Sequence, residues 1–318
     1  MKRTSHALQR SHIEALVAIA TDGSVHRAAR SLGVAQPVLS RLLADAEHRL
    51  GARLFDRTRQ GSHPTALGET VLAHARSVMR ALERMTASAG SARLPVRLGC
   101  IPRAMHTLIP PLLARMYPEG RVREARENEP DDEPVFRCEV VEGSSATLFD
   151  LLDAGKLDFA ILRHASAVRA GETQIERLYA ERTVIVCSSD HPLAGGQPVR
   201  VADLAAHEWI LPHADTTSRI AFDHFWARHG LPSIEPVLET RSFESNIGVV
   251  AHTRLLSIAP EPVARRYMSF GMLSIVDVER PMPSSPIMLG SRTTNHDDPA
   301  LKRFRKLLQE TAAALPTV

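Results

Sequence analysis

Apolar residues recur at helical spacing from the start of the chain. Leu8, Ile13, Leu16, Val17 and Ala20 share one side of residues 8–20, which predicts an amphipathic helix. Thr21-Asp22-Gly23 breaks it, and Ser24 then offers a hydroxyl to an orphan backbone N–H at the start of a short helix, Val25 to Leu32. Gly33 stands where a helix ends in a left-handed residue. A third helix is expected from Gln36-Pro37, because a first-turn N–H has no helical partner for proline to remove. Its apolar side is Leu39, Leu42, Leu43, Ala46 and Leu50, and Gly51 closes it. Two helices joined by a short turn containing glycine read as a helix-turn-helix. Ala28 and Ala29 are small, as a close crossing requires, and Leu32, Val34, Leu39 and Leu42 are expected to form the core wedge.

With that side inward, Gln36, Ser40 and Arg41 face outward. Gln can pair bidentately with adenine and Arg with guanine, and Ser can serve a phosphate or a base edge. Residues 53–62, Arg-Leu-Phe-Asp-Arg-Thr-Arg-Gln-Gly-Ser, predict a small hairpin, a wing. Leu54 and Phe55 would tuck under it, with Arg57 and Arg59 near phosphates. A solvated loop with scattered arginines is the plain alternative, weakened by the helix-turn-helix beside it. Thr65 caps a longer helix reaching about Met85. Val71, Ala75, Val78, Leu82 and Met85 are spaced four, three, four and three, an a/d seam suited to a second copy of the same helix. Packing on its own chain is the alternative. Residues 87–91 read as a hinge.

Beyond Pro95 the period changes. Val96 to Ile101 predicts a strand, Met105 to Tyr117 a helix, Arg137 to Val141 a strand, and Phe159 to Leu162 a further apolar strand. A helix with Leu148, Leu151 and Leu152 lies between the last two. This alternation argues a parallel, doubly wound sheet, whose ligands bind beyond the strands' carboxyl ends. Ile101-Pro102-Arg103 and Ser144-Ser145 sit at such ends. A second unit follows, with strands in 178–188, at Val237 to Glu239 and at Leu255 to Ala259, and helices near Thr217 to Arg228 and from Ser242. Thr216-Thr217-Ser218 and Ser242-Phe243 place hydroxyls at helix starts, where backbone N–H groups favour an anion such as a carboxylate. Pro286 to Leu289 and a helix opened by Asp298-Pro299 return to the first unit. The charged stretch 119–134 reads as a solvated insertion.

Composition adds a polarity to this layout. The 318 residues are 44% hydrophobic, 24% charged and 4% aromatic, ordinary for a globular chain of about two domains. Residues 1–90 hold 13 Lys+Arg against 7 Asp+Glu, a net +6, whereas the remainder is net −3. A basic front on an acidic body suggests a polyanion-binding end and a different task behind it. No apolar run approaches a membrane span, and no signal-peptide pattern opens the chain, so a cytoplasmic protein is expected. The three cysteines form no CxxC pair, the 15 histidines are dispersed, and His207-Glu208 lacks a second His. Nucleotide-loop and hydrolase motifs are absent. No catalytic residue, metal site or cofactor is therefore expected.

The stretch Gly23 to Arg41, with Glu47, Leu50-Gly51, Leu54-Phe55-Asp56-Arg57 and Thr65-Ala66-Leu67-Gly68-Glu69, resembles the DNA-binding region of the LysR-type transcriptional regulators. Ala35 stands where that family usually has Ser, and His63-Pro64 replaces a more regular wing strand. Glu142-Gly143, Leu157-Asp158-Phe159-Ala160-Ile161 and His191-Pro192-Leu193-Ala194 are similar to the family's effector domain. The resemblance implies a winged helix-turn-helix and long linker helix, then an α/β effector domain of two subdomains like those of periplasmic binding proteins. The expected limits are 1–64, 65–92 and 93–318, the last split into 93–163 with 268–318 and 164–267. It implies a sequence-specific regulator bound to double-stranded DNA as a homodimer or homotetramer. Ser24, Gln36, Pro37, Ser40, Arg41, Arg57 and Arg59 would face DNA. A small-molecule effector would lie between the subdomains, lined by Ile101, Pro102, Arg103, Ser144, Ser145, Thr216, Thr217, Ser218, Ser242 and Phe243. A solute-binding protein, or an enzyme using the same cleft, is the alternative reading of the body alone.

Overall fold

The computed structural model describes residues 7–58, 61–88, 93–117, 136–163 and 173–315. Arg59, the end of the expected hinge and the charged stretch 119–134 lie outside the described residues. In chain order the elements are α1 (Arg10–Asp22), α2 (Val25–Ser31), α3 (Gln36–Leu50), β1 (Phe55–Thr58), β2 (Gly61–Pro64), α4 (Ala66–Ser88), β3 (Leu94–Cys100), α5 (Pro102–Thr107), α6 (Ile109–Met116) and β4 (Phe136–Glu142). They continue with α7 (Ser145–Asp153), β5 (Phe159–Leu162), β6 (Thr173–Glu181), β7 (Thr183–Ser188), β8 (Ile210–Pro212), α8 (Thr217–Arg228), β9 (Leu238–Thr240), α9 (Phe243–Ala251), β10 (Ser257–Pro260), α10 (Glu261–Ser269), β11 (Leu273–Ile275), β12 (Ser285–Arg292) and α11 (Pro299–Ala313). They divide into two compact units, Met1–Ile101 with Met116–Glu176 and Leu289–Leu308, and Pro102–Arg115 with Arg177–Met288 and Gln309–Val318.

In the first unit, Gly23 and Gly51 end α1 and α3 in the left-handed region. Ser24 caps α2, its hydroxyl accepting from the Arg27 N–H at 3.1 Å. Leu16, Ile19, Ala28, Ala29, Leu39 and Leu43 are buried together, and Leu54, Phe55 and Leu72 join them from the wing and α4. The expected wedge is corrected at two positions, since Leu32 and Val34 are exposed, at 41% and 39%. The end of α2 forces this. The Val34 N–H returns to the Ala29 carbonyl at 2.9 Å and the Gly33 N–H to the Arg30 carbonyl at 3.2 Å. These are the paired bonds of a Schellman ending, which swing the chain sharply out of the helix. Leu42 is half-buried and Leu50 exposed, so the inward stripe of α3 is narrower than the sequence suggests.

The wing is an antiparallel pair, Phe55 opposite Pro64 and Thr58 opposite Gly61. His63 and Pro64 are accommodated in its second strand. The Ser62 N–H bonds to the Gly23 carbonyl at 2.9 Å. Gly61 has φ 140°, and a Cβ there would fall 2.3 Å from that same oxygen, so only glycine fits. A separate five-stranded sheet runs β4-β3-β5-β12-β6. β3 is parallel to both β4 and β5. Phe136 and Phe159 pack on Phe304 of α11, with ring centroids 5.1 and 5.7 Å away.

The second unit is mixed, not parallel. β7 lies between β10 and β11 and is antiparallel to both, while β8 and β9 form a separate parallel pair. Side chains alternate along β7. Ile185 and Cys187 join a cluster containing Trp209, Phe222 and Trp226, and Val184 and Val186 join one with Ile247, Val250 and Val263. Both faces of the strand are thus covered. The expected helix over 105–117 is two, parted at Leu108, and the apolar stretch 178–188 spans two strands parted at Arg182. Among the described residues, no helix is long and apolar enough to cross a membrane.

Candidate functional site

The N-terminal half of α3 presents Gln36, Pro37, Val38 and Arg41 to solvent, with Ser40 half-buried, while Leu39, Leu43 and Ala46 seal the opposite side. Ala35 precedes the helix and contributes no side-chain cap. Two anchors fix how α3 is held. His12, 2% exposed, accepts the Gln9 N–H on Nδ1 at 2.9 Å and places Nε2 2.9 Å from an Asp45 carboxylate oxygen. The Arg49 hydrogen bond, at 2.8 Å, holds the Asp45 carboxyl below its usual range. Glu47 accepts the Leu54 and Phe55 N–H groups at 2.8 and 3.2 Å, so α3 itself carries the base of the wing. The sequence singles out Glu47 without a role, because its partners are backbone groups with no residue signature. Ser24 is half-buried and its hydroxyl is engaged as the cap of α2. Arg57 lies in β1 opposite Ser62.

The a/d positions of α4 divide. Ala75 is buried in its own chain and Val71 packs on the three-helix core, whereas Val78 and Met85 are 44% and 64% exposed. Val78 and Met85 also line an open cavity of about 520 Å³ against Asn295, Asp298 and Pro299. Arg76, Arg80 and Arg84 form a second stripe on α4, which the apolar spacing of the helix does not mark. Arg76 donates to the Ala154 carbonyl at 2.8 Å. Arg80 pairs with Asp158 at 2.9 Å and donates to the Gly155 carbonyl. Arg84 reaches Asp298 at 2.7 Å and Asp158 at 3.5 Å. Asp158 also accepts the Arg97 N–H at 2.9 Å. Burial depresses the Arg76 and Arg80 pKa values despite these partners.

The ten expected ligand-side positions fall in both units. In the first, the Ile101 N–H bonds to the Ile161 carbonyl at 3.2 Å, Ser144 caps α7, and Ser145 accepts the Arg163 N–H at 3.1 Å. In the second, Pro102 opens α5 and Arg103 is buried, 2.9 Å from Glu181, 3.3 Å from the Thr183 hydroxyl and 3.2 Å from the Ser218 hydroxyl. Thr216 caps α8, with Thr217 as its first residue, and Ser242 caps α9, which Phe243 opens. The cysteines are free, and burial pushes Cys100 up to about 12 and Cys138 and Cys187 up to about 11. Few thiolates exist at neutral pH in such surroundings.

The profile of the LysR substrate binding domain matches residues 89–313, and that of bacterial regulatory helix-turn-helix proteins of the lysR family matches residues 11–69. The chain belongs to the LysR family. This LysR-type protein is 26% identical over 308 residues to the HTH-type transcriptional regulator PcaQ of Agrobacterium fabrum, covering 96% of this chain and 95% of that one. Its fold is that of full-length LysG from Corynebacterium glutamicum, solved with bound effector Arg, at TM-score 0.68 and 16% identity over 98% of this chain and 100% of that one. It is also similar to full-length CbnR solved with its target DNA, at TM-score 0.54 and 18% identity over 96% and 99% of the two chains. The LysR-type protein is thus a transcriptional regulator that pairs a helix-turn-helix DNA-binding domain with an effector-binding domain.

Proposed function

We propose that this regulator reads duplex DNA with the exposed face of α3 and works by binding, without catalysis, in the cytoplasm. Gln36, Pro37, Ser40 and Arg41 address base edges in the major groove, and the wing arginines Arg57 and Arg59 hold phosphates. Ser24 acts through its cap, placing α2 against the backbone. Domain limits of 1–64, 65–92 and 93–318 assign these tasks to the first segment. The observation that carries the reading is the solvent-facing polar side of α3 above a sealed apolar side, with the wing fastened to the same helix through Glu47. Two copies joined along the α4 seam would set two such helices about 34–36 Å apart, or a multiple of it, and paired effector domains would give a tetramer. The hydroxyl-bearing helix starts at 144–145, 216–218 and 242–243 favour a small carboxylate effector. Its influence on DNA depends on unequal affinity for two states of the protein. LysG with its effector and CbnR with its DNA support the same division of labour.

Titration of the purified protein with duplex DNA at two salt concentrations tests this. Steeply salt-dependent binding is expected, since each phosphate contact releases a counterion. Arg41→Ala should lose about 1–3 kcal/mol on a preferred sequence and little on a scrambled one. Salt-insensitive or absent binding, or equal losses on the two sequences, contradicts the assignment.

A further inference from the structure

We infer that Val38 is a specificity-determining residue that packs on the methyl group of a thymine beside the base pair addressed by Arg41. The inference rests on the proposed duplex-binding face. Val38 is 50% exposed in the first turn of α3, while its neighbour Leu39 is 0% exposed. A β-branched side chain lowers helix propensity, and an exposed one gains nothing from the core in return. The turn leading into the helix is apolar and exposed as well, at Leu32 and Val34.

The chemistry of the groove narrows the partner. Base edges in the major groove present hydrogen-bond donors and acceptors, and thymine alone among the unmodified bases adds an apolar group, its C5-methyl. A valine on the reading face therefore has one complementary base. Val38 and Arg41 are three residues apart on α3, which sets their Cβ atoms about 5–6 Å from each other. Base pairs rise about 3.4 Å per step. The thymine thus lies one or two steps from the base that Arg41 addresses.

The test uses the full-length protein and duplexes selected by it from a randomised pool. Each thymine of one half-site is replaced singly by uracil, which removes only the methyl group. One position is expected at which uracil weakens binding about fourfold, the loss of one buried methyl-sized group. Val38→Ala should weaken binding to the thymine duplex by a similar factor and be indifferent to uracil at that position. Val38→Thr, which keeps a γ-methyl, should retain part of the discrimination. Uracil penalties that are absent, or equal in the wild type and Val38→Ala, overturn the inference while leaving DNA binding intact. Failure to enrich any duplex overturns the binding reading and this inference with it.

Discussion

Among single residues, charged groups with no sequence signature do much of the structural work. Glu261 opens α10 and accepts from Arg182 at 2.7 Å and from Arg265 at 2.9 Å. The Arg182 hydrogen bond, then that of Arg265, holds its carboxyl below the ordinary value of 4.5. A depressed carboxylate lends stability that is complete above the unfolded pKa and disappears as pH falls through the folded one. Thermal unfolding followed between pH 6 and 3 should show Glu261→Gln less stable near pH 6, with the gap to wild type closing below about pH 4.5. A gap that stays constant with pH contradicts this. Such pairs escape sequence reading because partners such as Arg182 and Glu261 lie 79 positions apart. The exposed face of α3 was legible, since Leu39 and Leu43 on one side oblige Arg41 to occupy the other.

At the level of elements, periodicity locates α3, α8 and the apolar strand β5 well, because each has a single dominant packing face or end signal. It misses α10 and β11, which are short and lack a long apolar stripe, and it reads across the break at Leu108. It also gives the arginine side of α4 no role. In the structure, Arg80 and Arg84 are 4% and 5% exposed and converge on Asp158 at the start of β5. Removing one member of a buried charge group leaves the others uncompensated. Asp158→Ala is expected to destabilise the first unit by about 3–5 kcal/mol in urea denaturation. Replacing Arg80, Arg84 and Asp158 together by apolar residues of similar volume should cost much less. An unchanged urea midpoint for Asp158→Ala would show that the cluster contributes little.

For the whole molecule, the basic front and acidic body were visible in charge counts, and the partition into a reading end and a sensing end follows from them and from the family. Assembly was only half legible. The a/d spacing marks five positions, but Val71 and Ala75 pack within their own chain and Leu82 is half-buried, leaving Val78 and Met85 as the exposed members of that seam. Val78→Glu should shift the sedimentation profile toward monomer and weaken binding to two-half-site DNA more than to a single half-site. A profile that keeps the wild-type mass would place self-association elsewhere. The contact between Gly61 and the Gly23 carbonyl carries a consequence for divergence. The turn end of the hairpin, where Gly61 faces Thr58, and the corner between the first two helices are machined to a common clearance, so neither can drift alone. A lineage acquiring a new operator could alter the exposed helix face freely. Any side chain at position 61 would have to wait for position 23 to retreat.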